Sequence, residues 1–209
     1  MSPRQGANEF DYKDFPGSNS SDLVLSDSFI RKVVLMKSGG LRVEIEELFA
    51  EVDEQVPRVV RHTVESNVPV HKDLLNVLCR MIPHFLLLNE LDGVKENDKV
   101  LLGMMNDGLV EGAKGYHPAN DWKIKNVQFH GDGDSDSDGI IMYGQKTVKR
   151  SGKPIGVLSP LVQRKEDYAY MGQLLDAYED LCVEVRLYLG GKHAPGQMQL
   201  FGESIGEAA

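Results

Sequence analysis

Chemistry-bearing residues concentrate first in the acidic run Asp132-Gly133-Asp134-Ser135-Asp136-Ser137-Asp138-Gly139. Asp134, Asp136 and Asp138 stand at the first three ligand positions of an EF-hand loop, Gly139 at its turn glycine and Ile141 at its apolar position. The twelfth position is Gln145, where that loop needs a bidentate glutamate, and the flanking residues alternate like strands. A solvated hairpin tip is therefore the preferred reading, with Gly and Asp supplying turn geometry, and no metal or other cofactor is expected. Next to it, Lys146, Lys149, Arg150, Lys153, Arg164 and Lys165 fall within a stretch that holds no acidic residue. On a strand-turn-strand these side chains could follow a phosphate backbone, with Tyr143 as a stacking platform for single-stranded nucleic acid. The same charges would equally serve to keep an exposed hairpin from aggregating.

Six histidines are scattered along the chain, none in the paired helical spacing of a metallohydrolase. His62 and His71 flank one strand end, and that is the closest approach to an acid-base or metal pair. A nucleophile elbow, a phosphate loop and a dinucleotide fingerprint are all missing. Residue types thus give no positive sign of an enzyme.

With 209 residues the chain can bury a real core without disulfides. Its two cysteines, Cys79 and Cys182, both sit inside apolar helical patterns and read as buried reduced thiols. Apolar residues make up 41% and charged residues 26%, an ordinary globular balance. The formal charge of -9 speaks against strong non-specific attachment to nucleic acid, which needs many cationic contacts. No apolar run reaches the roughly 18 residues of a membrane span, and the polar, acidic start of the chain lacks a signal-peptide core. A cytoplasmic protein is expected, with no membrane partner.

These residues must be positioned by alternating and helical patterns further along. Residues 1–27, rich in Gly, Ser, Asn and Asp, read as a disordered or loosely docked arm. From 28 to 91 a hairpin (Phe29 to Met36, then Leu41, Val43 and Ile45 alternating with charge) leads to a third strand from Arg58 to Val68. A helix follows, capped near Asp73 and kinked or restarted by Pro83. Residues 92–121 depart from this pattern: the periodicity predicts a glycine-weakened helix from Asp98 to Ala113, then a loop. The first pattern returns in 122–192, with strands at Trp122 to Phe129, Ile140 to Val148 and Ile155 to Val162 and a helix from Tyr168 to Leu189. Each unit also carries a Ser near a Pro just before its helix, Ser66 with Pro69 and Ser159 with Pro160. The prediction is an α+β fold of two β-β-β-α units, a possible tandem repeat, forming antiparallel sheet covered by helices on one side. A tail, 193–209, completes the chain.

That tail holds Gln197-Met198-Gln199-Leu200-Phe201. The pattern resembles the short peptide by which bacterial DNA polymerases and other replication and repair proteins dock on the sliding clamp. The resemblance implies that Leu200 and Phe201 enter an apolar pocket, Gln197 hydrogen-bonds at its rim and Met198 covers an adjoining surface. The family more often carries Leu where Met198 stands. Two further aromatics, which the archaeal and eukaryotic ring motif requires, are not supplied by Gly202-Glu203-Ser204, so a bacterial or phage clamp is the implied partner. More loosely, the last 90 or so residues resemble small uncharacterised proteins of phages and mobile elements, on Phe129 with Gly131-Asp132, Ser159-Pro160, Tyr168 and the pentapeptide. The expectation is a non-enzymatic accessory protein of phage or mobile-element DNA metabolism, working in replication or recombination in the cytoplasm of a bacterial host. Two alternatives stand beside it: a single-stranded nucleic-acid module built on the basic hairpin, and an acidic phage inhibitor that occupies a nucleic-acid site on a host protein.

Overall fold

Alternation of apolar and polar residues places one antiparallel sheet at the centre of the molecule. The computed structural model describes residues 25–49, 58–108, 117–131, 138–164 and 168–194. Strands β1 (Leu25–Leu35) and β2 (Leu41–Phe49) form a hairpin, and β3 (Arg58–Ser66) pairs with β2 from end to end. Helices α1 (Lys72–Leu88) and α2 (Lys99–Asp107) come next, followed by β4 (Trp122–His130), β5 (Gly139–Thr147), β6 (Pro154–Leu158), the short β7 (Val162–Gln163) and α3 (Met171–Leu189). Strand order is β3-β2-β1-β4-β5-β6, with β7 on β5. The two three-stranded units thus join by their first strands, with Val33 opposite Val127 at the seam. Of the two ways such units can bury their apolar faces, joining edges or packing face to face, the chain takes the first, and each first strand loses its free edge.

A local likeness between the halves lies at the start of each second strand. A Cβ on Gly40 would fall 2.0 Å from the Ser66 carbonyl oxygen, and one on Gly139 would fall 2.6 Å from that of Val162. Both glycines admit a close backbone approach by the strand that closes the unit.

One face of the sheet takes the helices. Val33, Leu41, Val43, Ile124, Val127, Ile140 and Met142 are buried, together with Leu74, Met81, Phe85 and Leu86 of α1 and Leu174, Leu181 and Val185 of α3. The units interlock. Phe85 of α1 packs on Trp122 of the second unit, with ring centroids 5.2 Å apart. In return the Tyr188 hydroxyl of α3 donates to the Val68 carbonyl of the first, at 2.5 Å.

Several boundaries differ from the sequence expectation. β1 begins at Leu25, inside the stretch assigned to the arm. α1 runs through Pro83 without restarting; the proline lies on the buried face, and only the Cys79 carbonyl one turn back loses a helical donor. α2 starts where Asp98 caps it, the carboxylate accepting from the Val100 N–H at 2.8 Å, but ends at Asp107 rather than Ala113. Gly108 (φ 74°) ends it, packed so tightly that a Cβ would meet the Asn76 amide oxygen at 2.1 Å. The last predicted strand is broken at Ser159-Pro160: Pro160 has no N–H to give, while the Ser159 N–H donates to the Met142 carbonyl and its hydroxyl accepts from the Met142 N–H. α3 starts at Met171, three residues later than its periodicity indicated.

Candidate functional site

The root of the tail is firmly held. Gly190 ends α3, and the chain then crosses to the first unit, where His193 bridges Val70 and the Ala194 N–H donates to the Pro69 carbonyl at 3.2 Å. Lys192 reaches Glu184 at 2.9 Å and Asp73 at 2.8 Å, so one ammonium links the C-terminal end of α3 to the first turn of α1. Its hydrogen bond holds Asp73 below the usual carboxylate range, and the two carboxylates push the lysine upward. The His193 ring stands edge-on to Tyr188, centroids 5.0 Å apart. Gln197, Met198, Leu200 and Phe201 lie outside the described residues and begin three positions beyond Ala194.

Of the basic set, two members are committed to internal partners. Lys146, on β5, bonds the Asp92 carboxylate at 2.7 and 2.8 Å and sits 4.7 Å from the centre of the Trp122 ring. Asp92 also accepts from the Trp122 indole at 2.6 Å; burial opposes its charge, but these hydrogen bonds outweigh burial and keep its pKa low. Lys149 pairs with Asp121 at 3.3 Å. Arg150 and Lys153 are exposed in the turn between β5 and β6, and Arg164 is exposed just past β7, so the turn and the Arg164 end of the hairpin are separate cationic spots. Lys165 lies outside the described residues. Tyr143 points to the helix-free face, its ring lying across Gly156 of β6.

The acidic run falls mostly outside the described residues, Asp134 and Asp136 included. Asp138 is fully buried beside Gly131. Among the described residues no three His, Cys, Asp or Glu side chains are grouped to hold a metal ion. His62 and His71 do not act together. His62 of β3 lies 3.1 Å from Glu47, while His71 caps α1 by accepting from the Asp73 N–H at 3.3 Å. Both cysteines are free thiols, and burial pushes Cys182 up to about 11, which makes it a poor nucleophile at neutral pH.

Two features could not be read from spacing. On the helix-free face the first unit carries a ladder of opposite charges in direct register: Lys32 with Glu44, Arg42 with Glu65, and Arg61 with Glu46. Glu46 is nearly buried and accepts from Arg31 as well, and those arginines hold its pKa down against the cost of burial. Its alternation with Val43 and Ile45 marks it as outward-facing, but its partners come from strand register. A cleft of about 150 Å³ opens between β1 and α3, floored by Phe29, Phe129 and Tyr178 and edged by Arg164 and Arg186. Its walls come from segments more than a hundred residues apart, so no local motif announces it.

Comparison with known protein families, curated proteins and solved structures gives no match for this chain. No helix among the described residues is long and apolar enough to cross a membrane.

Proposed function

We propose that this protein is a non-enzymatic accessory factor of phage or mobile-element DNA metabolism that docks on a bacterial or phage sliding clamp through Gln197, Met198, Leu200 and Phe201. The observation that carries this reading is the order and spacing of those four residues. From the root at Lys192 to Ala194 three residues of chain reach only about 10 Å, so a docked ring would stand close to the corner where α1 begins and α3 ends. Burial of Leu200 and Phe201 would supply roughly 1.5 to 3 kcal/mol each before ordering costs. Surface plasmon resonance against the host clamp is expected to give a Kd of about 1 μM. Leu200→Ala with Phe201→Ala should weaken it on the order of a hundredfold or more. Equal binding by the double variant, or none by the native chain, would sink the proposal.

A second reading has its own observation. The helix-free face of the second unit carries Lys123, Lys125 and Tyr143 on adjacent strands, with Lys125 lowered by burial and then by its neighbour Lys123. A polyanion laid across Tyr143 would relieve that repulsion, and single-stranded DNA is the candidate. Lys123→Gln with Lys125→Gln should then reduce both affinity and its salt slope. A slope unchanged by the substitutions removes this reading.

A further inference from the structure

We propose that β3 pairs antiparallel with the β3 of a second copy of this chain, making one sheet continuous across two molecules. Among the described residues β3 is the last strand of its sheet and is hydrogen-bonded on one side only. Val59 and residues 61–65 are all exposed, with β-branched Val59 and Val64 at 50% and 39%. The two ends of the sheet are built differently. β6 has five residues and opens with Pro154, which cannot donate to a ladder, and contains Gly156. β3 has nine, with no proline, glycine or lysine, and pairs with β2 without a bulge. A long, regular, β-branched edge of that kind is a template for another strand.

Charge selects the partner and the register. With a two-fold axis perpendicular to the sheet through Thr63, outward-facing residues of one copy meet outward-facing residues of the other. Arg61 then stands opposite the second copy's Glu65, Glu65 opposite its Arg61, and Thr63 opposite Thr63. His62 meets Val64 on the helix side. A two-fold at Arg61 would oppose two arginines, and one at His62 would leave Glu65 facing Val59. The Thr63 register also continues contacts already made. Arg42 pairs with Glu65 and Arg61 with Glu46, which also holds Arg31. Across the junction the row would run Arg42, Glu65, Arg61, Glu46, Arg31, alternating in sign throughout. A second copy matches this row twice, once at Arg61 and once at Glu65. The pairing does not depend on the docking peptide.

Sedimentation velocity on the full chain at tens of micromolar is expected to show twice the 23.2 kDa monomer mass. Thr63→Cys places two thiols at a two-fold axis, within the Cα separation of about 4.5 to 5.5 Å of opposed antiparallel residues. That separation suits a disulfide. Mild oxidation should therefore give a covalent dimer. Val59→Cys, whose symmetry mate lies several residues away along the strand, should not cross-link, nor should the native chain through Cys79 or Cys182. Arg61→Glu, which sets like charges against Glu65 of the second copy, should weaken association on the order of tenfold. A native chain that stays monomeric overturns the proposal, and so does a dimer that Thr63→Cys fails to trap.

Discussion

Phe85→Ala is expected to lower the unfolding free energy by about 3 to 5 kcal/mol, in the range for truncating a large buried aromatic. The ring is wholly buried in α1 and fills the gap between the helix and the second unit's strands. It leans on Trp122 at an interplanar angle of 56°. On its far side lies Gly144 of β5, so close that a Cβ there would meet the ring at 2.5 Å. Neither neighbour can close the void: the indole is fixed by Asp92 and Lys146, and Gly144 has no side chain to move. The loss would be a large share of the roughly 5 to 15 kcal/mol that holds a domain together. Because the ring belongs to the first unit and its socket to the second, both units should unfold together at a lower urea concentration. Circular dichroism and Trp122 fluorescence, followed in one titration, check this. Two separated transitions, of which only one moves, would show that the units do not depend on each other through this contact.

The order of strands and helices was legible in the chain wherever one periodicity decided the local structure. Leu41, Val43 and Ile45 alternate with charge and form β2; Leu74 to Leu86 recur at helical spacing and form α1. Repetition of the pattern after Trp122 announced a second run of strands and a helix, but periodicity left open whether the two sets of strands would join by their edges or pack face to face; pairing of β1 with β4 makes one sheet. What failed to show were outcomes set by distant residues. Gly108 stops α2 by turning to a positive φ, and the Asn76 side chain of another helix fills the space a Cβ would need; the glycines weaken the helical pattern in sequence, but which of them ends it is set by that distant contact. Ser159-Pro160 breaks the last strand, but the residue that takes over the hydrogen bonds is Met142 on β5. Lys146 counted among a basic stretch until the fold brought Asp92 beneath it, 54 positions away. Charge runs along a chain predict a surface only after register has assigned their partners.

The pairing row on the helix-free face follows the same logic. Arg42, Glu44, Glu46, Arg61 and Glu65 look like ordinary solvent-facing residues in sequence, and isolated exposed pairs of this type contribute about 1 kcal/mol or less. Assembled by register, they give β3 an edge with a definite pattern of sign. That pattern bears on association and specificity more than on the stability of the single chain.

His84 accounts for the second large expectation, a loss of stability between about pH 6.5 and pH 4. The side chain is fully buried in α1; its Nδ1 lies 2.9 Å from the Tyr168 hydroxyl, and its Nε2 has no partner among the described residues. Burial lowers its pKa to about 4, and the Arg80 guanidinium one turn earlier adds to the shift. Tyr168 answers from the opposite side as a neutral hydroxyl, its own pKa raised chiefly by burial. The unfolded chain therefore binds this proton more readily than the folded one. The stabilising preference for neutral His84 is complete above the unfolded value near 6.5, falls as the pH drops, and is gone below about 4. Its size is about 3 kcal/mol, from a fall from 6.5 in the unfolded chain to about 4 in the folded one. The carboxylates act elsewhere: Glu46, Asp92 and Asp98 are all lowered from ordinary values near 4, so their contributions disappear only in stronger acid. Urea unfolding at a series of pH values separates the two windows. Native protein should weaken steadily from pH 6.5 to 4, whereas His84→Gln, which cannot titrate, should lose that component and keep the carboxylate loss at lower pH. Parallel curves for the two proteins across that interval would place the acid sensitivity in another group.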